Sequence, residues 1–137
     1  MKDAISIPLV ANGDLVSPSD LGNMLTLSGA DGVMVGRGAY GRPWIPGHLA
    51  AYAATGTMPA PPAGDALLDL VQRHYRAILE HYGTWVGVKA ARKHLGWYLA
   101  NLALPSAYRH ALMTSTDPSE VLRVLEMAFT ADERRAA

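Results

Sequence analysis

A short apolar run ends abruptly at a polar turn in the stretch Ile5-Ser6-Ile7-Pro8-Leu9-Val10-Ala11-Asn12-Gly13-Asp14. The run is typical of a parallel strand over residues 5–11 that is buried on both faces. A second apolar run, Val33-Met34-Val35, leads into Gly36-Arg37-Gly38 in the same way. Between them, Ser17-Pro18-Ser19-Asp20 caps the start of a helix and Ser28-Gly29-Ala30 ends it. We therefore predict that residues 5–38 form one β-α-β unit.

The pattern of the chain changes after residue 55. Residues 56–64 contain three prolines and two glycines, which predicts a linker. Beyond it, apolar residues recur at three- and four-residue steps, which indicates helices over Asp65–Tyr82 and about Trp85–Leu102, a third from Pro105 and a fourth capped by Asp117-Pro118-Ser119-Glu120. The predicted organisation is an α/β region over residues 1–55, the linker 56–64, an all-α bundle over 65–131 and a frayed tail over 132–137.

Composition narrows the class of protein. The chain has 137 residues, half of them apolar, and its twelve Lys and Arg balance twelve Asp and Glu. It contains no cysteine, which excludes disulfides, thiolate zinc sites and cysteine nucleophiles within these residues. No apolar run approaches the roughly 20 residues of a membrane span, and the N-terminus lacks the apolar stretch of a signal peptide. We predict a soluble, cytoplasmic protein without a membrane partner or a bound metal.

The two turns predict an anion site. Gly13, Gly36 and Gly38 let backbone N–H groups approach an anion, and Arg37 can bind a phosphate with two parallel hydrogen bonds. Asn12 and Asp14 can brace the first turn or reach the ribityl hydroxyl groups of a flavin. Loops after the last two strands of a β/α barrel commonly hold phosphate. The alternative is two ordinary turns with a solvated arginine. Because many flavin and sugar-phosphate barrels share this pattern, the residues alone indicate only a phosphorylated cofactor.

A local basic field lies within the neutral chain. No acidic residue occurs between Glu80 and Asp117, whereas the predicted second helix carries Lys89, Arg92 and Lys93 on one side. Such a face suits an RNA phosphate backbone, although three cations at helical spacing are also typical of a solvated surface. Arg42 could face RNA or the cofactor, or lock its own loop. We expect His94 to be a surface or capping histidine.

Four strings carry a family resemblance: Ile7-Pro8-Leu9-Val10-Ala11-Asn12-Gly13-Asp14, Gly29-Ala30-Asp31-Gly32-Val33-Met34-Val35-Gly36-Arg37-Gly38-Ala39, Gly41-Arg42-Pro43-Trp44-Ile45 and Lys89-Ala90-Ala91-Arg92-Lys93-His94-Leu95-Gly96-Trp97-Tyr98. Together they resemble tRNA-dihydrouridine synthases, in particular the bacterial B-type branch that was long labelled nitrogen-regulation proteins. The resemblance covers most of the chain.

The resemblance implies that residues 1–55 are the last β-α-β portion of a TIM-type (β/α)8 barrel that binds FMN, followed by a C-terminal helical bundle that binds tRNA. It implies that Asn12, Gly13, Asp14, Gly36 and Arg37 bind FMN, and that Lys89, Arg92, Lys93 and Arg42 contact RNA. It also implies a reaction in which NADPH reduces FMN, a hydride passes to C6 of a tRNA uracil and a cysteine protonates C5.

Because the chain contains no cysteine, we expect it to be a C-terminal fragment of such an enzyme. The fragment would have no catalytic residue of its own and would be inactive alone. We expect a full-length protein to be a monomer, and the fragment to self-associate through exposed barrel strands. Two other interpretations remain at this stage. One is a non-catalytic RNA-binding or regulatory module with the β-α-β unit as scaffold, and the other is a different FMN or sugar-phosphate barrel enzyme whose helical tail serves oligomerisation.

Overall fold

The chain folds into two compact units, one extending to Pro61 and the other beginning at Pro62, in a computed structural model that describes residues 2–102 and 104–136. The division falls inside the proline- and glycine-containing segment 56–64. The predicted linker therefore contains the boundary between the units.

The first unit is a β-α-β arrangement followed by a helix. After a 3₁₀ turn at Lys2–Ala4, its elements are strand β1 (Val10–Gly13), helix α1 (Pro18–Ser28), strand β2 (Gly32–Val35), a 3₁₀ turn (Arg37–Ala39) and helix α2 (Ile45–Thr55). The strands pair in parallel, with Val10 opposite Gly32 and Gly13 opposite Val35. The β-α-β prediction is confirmed.

Helix α1 begins and ends where its caps predict. The N–H of Asp20 donates to Ser17 Oγ at 3.3 Å and the N–H of Ser17 donates to Asp20 Oδ2 at 2.9 Å, which completes a capping box. The Ser17 hydroxyl also donates to Asp20 Oδ2 at 2.7 Å, and this bond, followed by those from the N–H groups of Val16 and Ser17, lowers the pKa of Asp20. Gly29 ends the helix in the left-handed conformation with φ of 64°.

The first predicted strand is wrong in its bounds and in its burial. Strand β1 begins at Val10 rather than at Ile5, and it includes Asn12 and Gly13. Pro8 has no N–H to give to a ladder, and the Leu9 carbonyl already accepts the N–H groups of Asp31 and Gly32 at the start of β2. Among the described residues the sheet has two strands, so each has one neighbour, and Val10 is 60% exposed.

The core of the first unit is formed between α1, α2 and the loop after β1. Its buried side chains are Leu15, Leu21, Ile45 and Leu49. Helix α2 was not among the predicted elements, although proline stands in its first turn and Gly56 ends it with φ of 74°. Both are ordinary helix-end signals, which a closer reading of residues 44–56 could have used.

The second unit is helical throughout its regular structure. It contains α3 (Gly64–Tyr82), α4 (Thr84–Tyr98), a 3₁₀ turn (Leu99–Asn101), α5 (Ser106–Thr114) and α6 (Pro118–Ala136). The four predicted helices are confirmed, but α4 ends at Tyr98 instead of Leu102. Helix α6 extends through most of the predicted tail, of which position 137 lies outside the described residues. Buried side chains of all four helices form the core, among them Val71, Tyr75, Val88, Leu95, Leu112, Leu125 and Phe129.

Helices α3 and α4 approach each other closely at Gly87. A Cβ at this position would lie 2.8 Å from the Cα of Leu79 and 3.2 Å from the carbonyl oxygen of Ile78. Both are backbone atoms, so the space cannot be opened by rotating a side chain. Glycine is therefore required for this helix contact.

Within the part of the chain that the structure describes, no helix combines the length and the apolar character that crossing a bilayer requires.

Candidate functional site

The five residues predicted to bind a cofactor line one cleft in the first unit. Because β1 and β2 are parallel, the turns that follow them meet at the same edge of the sheet. The cleft between these turns has a volume of about 380 Å³, and it is lined by Asn12, Gly13, Asp14, Gly36 and Arg37. We call it the glycine cleft.

An ion pair spans the glycine cleft. Arg37 Nη2 lies 2.6 Å from Asp14 Oδ1, and the side chains are 77% and 83% exposed. An exposed pair of this kind contributes little to stability, so its main effect is to position the guanidinium. The contact uses one of the five N–H donors of arginine, which leaves donors for a second anion.

Gly38 fixes the second turn against the first. It is buried, and an added Cβ would overlap the carbonyl oxygen of Leu15, which follows the first turn and is itself in the core. A Cβ on Gly36, in contrast, would meet no atom within 4 Å. The turn is closed by hydrogen bonds from Ala39 N–H to Gly36 O and from Tyr40 N–H to Arg37 O, each 3.0 Å. The cleft thus has a rigid backbone with an open edge at Gly36.

The geometry fits a phosphate group. The backbone at Gly36, where an added Cβ would meet no atom within 4 Å, allows close approach of anionic oxygens, and Arg37 offers a charge-assisted donor. The Asp14 carboxylate would repel an anion, but its charge is compensated by Arg37 at 2.6 Å. Asp14 is therefore suited to orienting Arg37.

Arg42 lies in the same unit but not in the glycine cleft lining. Its side chain is half-buried, and Nη2 donates to the carbonyl oxygen of Gly38 at 3.0 Å. Of the three roles considered for Arg42, this contact corresponds to locking its own loop.

The three cations of the predicted basic face of α4 differ in exposure and in hydrogen bonding. Lys89 and Lys93 are exposed, and Lys89 Nζ lies 3.2 Å from the ring centroid of Trp85, one helical turn earlier. Arg92 is half-buried and donates from Nη2 to the carbonyl oxygens of Thr114 and Ser115, at 3.1 and 3.4 Å. Arg92 thus satisfies carbonyl groups at the C-terminal end of α5, which sequence spacing could not reveal.

A polar cluster between α3 and α4 was not predicted from the sequence. His74 Nδ1 and Tyr98 Oη are hydrogen-bonded at 2.8 Å, and the His94 ring lies 5.0 Å from that of His74 and 5.1 Å from that of Trp97. Burial lowers the pKa of His74 and of His94 and raises the pKa of Tyr98 to about 12. His94 is partly exposed, and the prediction of a surface or capping histidine did not include its ring contacts with His74 and Trp97.

The described residues contain no group of three His, Cys, Asp or Glu side chains arranged to hold a metal ion.

Comparison with known proteins identifies the family. The sequence profile described as "Dihydrouridine synthase (Dus)" matches residues 1–133. The chain belongs to the dihydrouridine synthase family. The chain is 42% identical over 130 residues to a protein of Rickettsia conorii named "Probable tRNA-dihydrouridine synthase", which covers 95% of the chain and 39% of the relative.

Two further relatives give the same result. A protein of the same name from Rhodobacter capsulatus is 44% identical over 137 residues, covering 100% of the chain and 41% of the relative. A "tRNA-dihydrouridine synthase B" from Xanthomonas campestris pv. campestris is 39% identical over 131 residues, covering 96% and 40%. The chain thus spans about two fifths of the length of these curated relatives.

Proposed function

We propose that this chain forms part of an FMN-dependent, NADPH-using tRNA-dihydrouridine synthase that reduces the C5=C6 bond of a uridine in tRNA. The observation that carries the proposal is the glycine cleft, in which Asn12, Gly13, Asp14, Gly36 and Arg37 surround a space suited to phosphate in a chain of the Dus family. In this proposal the first unit is the last β-α-β portion of a TIM-type barrel and the second unit is the tRNA-binding domain.

The residues of the cleft have separate roles toward the FMN phosphate. Arg37 binds it through the guanidinium donors that Asp14 does not use, and Asp14 holds the guanidinium in place. The turns at Gly13 and Gly36 present backbone N–H groups, and Gly38 keeps the turns in register through its contact with Leu15. Asn12, which lines the same cleft, hydrogen-bonds the ribityl hydroxyl groups in this proposal.

FMN held by these residues would supply the hydride for C6 of the uracil, with NADPH as the reductant. The reaction also needs a proton at C5, for which the family resemblance implies a cysteine. The present sequence contains no cysteine, so we assign that donor to a part of the enzyme outside these residues and expect the chain to be inactive alone.

Two features support tRNA as the partner. Lys89 and Lys93 extend from one side of α4 into solvent, and the nearest acidic residues in the sequence are Glu80 and Asp117.

The proposal includes a cytoplasmic location and a monomeric full-length enzyme. Because β1 and β2 each have one neighbour among the described residues and Val10 is 60% exposed, we expect the isolated chain to self-associate through this sheet.

The experiment replaces Arg37 by alanine in the enzyme that contains this chain and measures FMN affinity by flavin fluorescence. Loss of a charge-assisted hydrogen bond should raise the Kd for FMN about 10–150-fold, from about 1.5–3 kcal/mol. Activity, measured as dihydrouridine formed in tRNA with NADPH, should recover at saturating FMN because Arg37 acts through binding.

The matched control is Arg73→Ala, which removes an arginine of similar exposure from an ion pair with Asp69 outside the glycine cleft. It should leave FMN affinity unchanged. Equal FMN affinity in the Arg37 variant and the wild type would remove the glycine cleft from the FMN site, and an enzyme without dihydrouridine activity would refute the proposed reaction.

A further inference from the structure

An exposed aromatic patch lies where α3 meets α4. Tyr82 is 55% exposed at the end of α3, and Trp85 and Val86 are 77% and 46% exposed in the first turn of α4. We call these three residues and Lys89 the Trp85 patch. Leaving so much apolar surface in water is unfavourable, and neighbouring exposed apolar residues often mark a contact site. Neighbouring side chains of the same helices, Ile78 and Val88, are buried in the bundle core, whereas these three are not.

The indole of Trp85 is presented as a platform. Lys89 Nζ lies over one face of the ring, 3.2 Å from its centroid. Because the side chain is 77% exposed with the ammonium in place, the opposite face is open to solvent. The ring of Tyr82 is held edge-on by His81, with centroids 4.6 Å apart. The patch therefore has rigid aromatic side chains, which lose little conformational entropy on binding.

The charge around the patch specifies the chemistry of its partner. Lys89 and Lys93 are exposed at one-turn steps from Trp85 along α4, and no acidic residue occurs from residue 81 to residue 116. A partner must therefore combine a flat apolar surface with nearby negative charge. An unstacked nucleobase with its flanking phosphates has both properties, whereas a purely apolar protein surface would leave the ammonium groups without partners.

We propose that Trp85 is a base-stacking residue for RNA: an unstacked base packs on the open face of its indole while Lys89 and Lys93 contact the adjacent phosphates. The inference rests on the proposed tRNA-dihydrouridine synthase function and adds a specific recognition contact to it. Proteins recognise folded RNA largely at loops, where displaced bases stack on aromatic side chains. Every base has a π face, so the contact tolerates different bases.

The test compares binding of a tRNA transcript by the wild type and by Trp85→Ala at several salt concentrations. Loss of one stacked base should weaken affinity about 5–150-fold. The slope of log affinity against log salt should stay unchanged, because stacking releases no counterions. Lys89→Ala should instead reduce the slope by roughly 0.7–0.9. Binding of tRNA should also quench tryptophan fluorescence in the wild type, and this change should be lost in Trp85→Phe.

Three controls separate stacking from other effects. Trp85→Phe should recover most of the affinity because it retains an aromatic face, whereas Met127→Ala removes exposed apolar surface on α6, outside the Trp85 patch, and should change affinity less than twofold. Heparin, a polyanion without bases, should bind the wild type and Trp85→Ala equally. Far-UV circular dichroism and thermal unfolding of each variant should show an intact helical unit.

The possible failures are distinguishable. If Trp85→Ala keeps wild-type tRNA affinity while Lys89→Ala lowers the salt slope, stacking is refuted and the proposed tRNA-binding face stands. If Trp85→Ala changes only self-association in sedimentation experiments, the patch is a protein interface and stacking is also refuted. If the wild-type chain does not bind tRNA at any salt concentration, this inference fails together with the proposed tRNA-binding domain.

Discussion

Replacing Gly87 by alanine tests the contact that sets the distance between α3 and α4. In an open helical position the change would stabilise the protein by up to about 1 kcal/mol through helix propensity. At Gly87 the new Cβ would lie 2.8 Å from Leu79 Cα, and relief requires movement of a helix backbone. Overpacking of this kind costs about 1–3 kcal/mol. We therefore expect no gain, and a net loss of up to about 2 kcal/mol.

The matched control is Gly96→Ala in the same helix, where a Cβ meets no atom within 4 Å. Both variants have the same propensity gain, so the difference between their free energies of unfolding isolates the overpacking cost of about 1–3 kcal/mol. Urea unfolding followed by circular dichroism at 222 nm measures it directly. In thermal unfolding, a difference of 1 kcal/mol should separate the midpoints by about 4–8 °C. Equal stability of the two variants would show that α3 and α4 do not meet tightly at Gly87.

Two further predictions concern the glycine cleft and the polar cluster. Gly38→Ala should destabilise the first unit by about 1–3 kcal/mol in thermal unfolding and weaken FMN binding, because its Cβ would overlap the backbone of Leu15. The control is Gly22→Ala at an open position of α1, which should stabilise the protein by about 0.5–1 kcal/mol. Burial lowers the pKa of His74, so the unfolded chain binds protons more readily than the folded chain below about pH 6.5, and stability should fall as pH drops below that value. The free energy of unfolding should change with pH by at most about 1.4 kcal/mol per pH unit because of this residue. His74→Gln, which can retain a hydrogen bond to Tyr98, should reduce this pH dependence in urea titrations at pH 5.5 and 7.5. An unchanged pH dependence would exclude His74 as its source.

Because Arg92 is hydrogen-bonded within the bundle and Lys89 and Lys93 are exposed, these residues should be tested separately for RNA binding. Arg92 donates to two carbonyl oxygens at the end of α5, so its removal would perturb the bundle as well as any RNA contact. Substitutions at Lys89 and Lys93 alter charge on exposed side chains and leave that contact intact. RNA binding by this face is therefore tested more cleanly without Arg92.

Local signals in the sequence determined where most elements lie. The capping box of Ser17 and Asp20, the left-handed Gly29 and the helical period after residue 64 act over one to four residues, and the elements they predict are present. The grouping of Gly13 and Gly36 followed from one topological rule, that neighbouring parallel strands end at the same edge. Their role in FMN binding remains a prediction.

Other properties depend on residues that are distant in the sequence. The start of β1 depends on hydrogen bonds to the Leu9 carbonyl from the N–H groups of Asp31 and Gly32, which are more than 20 residues away in the sequence. The roles of Arg92 and Gly87 likewise depend on α5 and α3. Periodicity places a side chain on a face of its own helix, but the atoms facing it belong to other elements. Only the tertiary structure could therefore show that Arg92 is engaged by backbone carbonyls while Trp85 remains open to a partner.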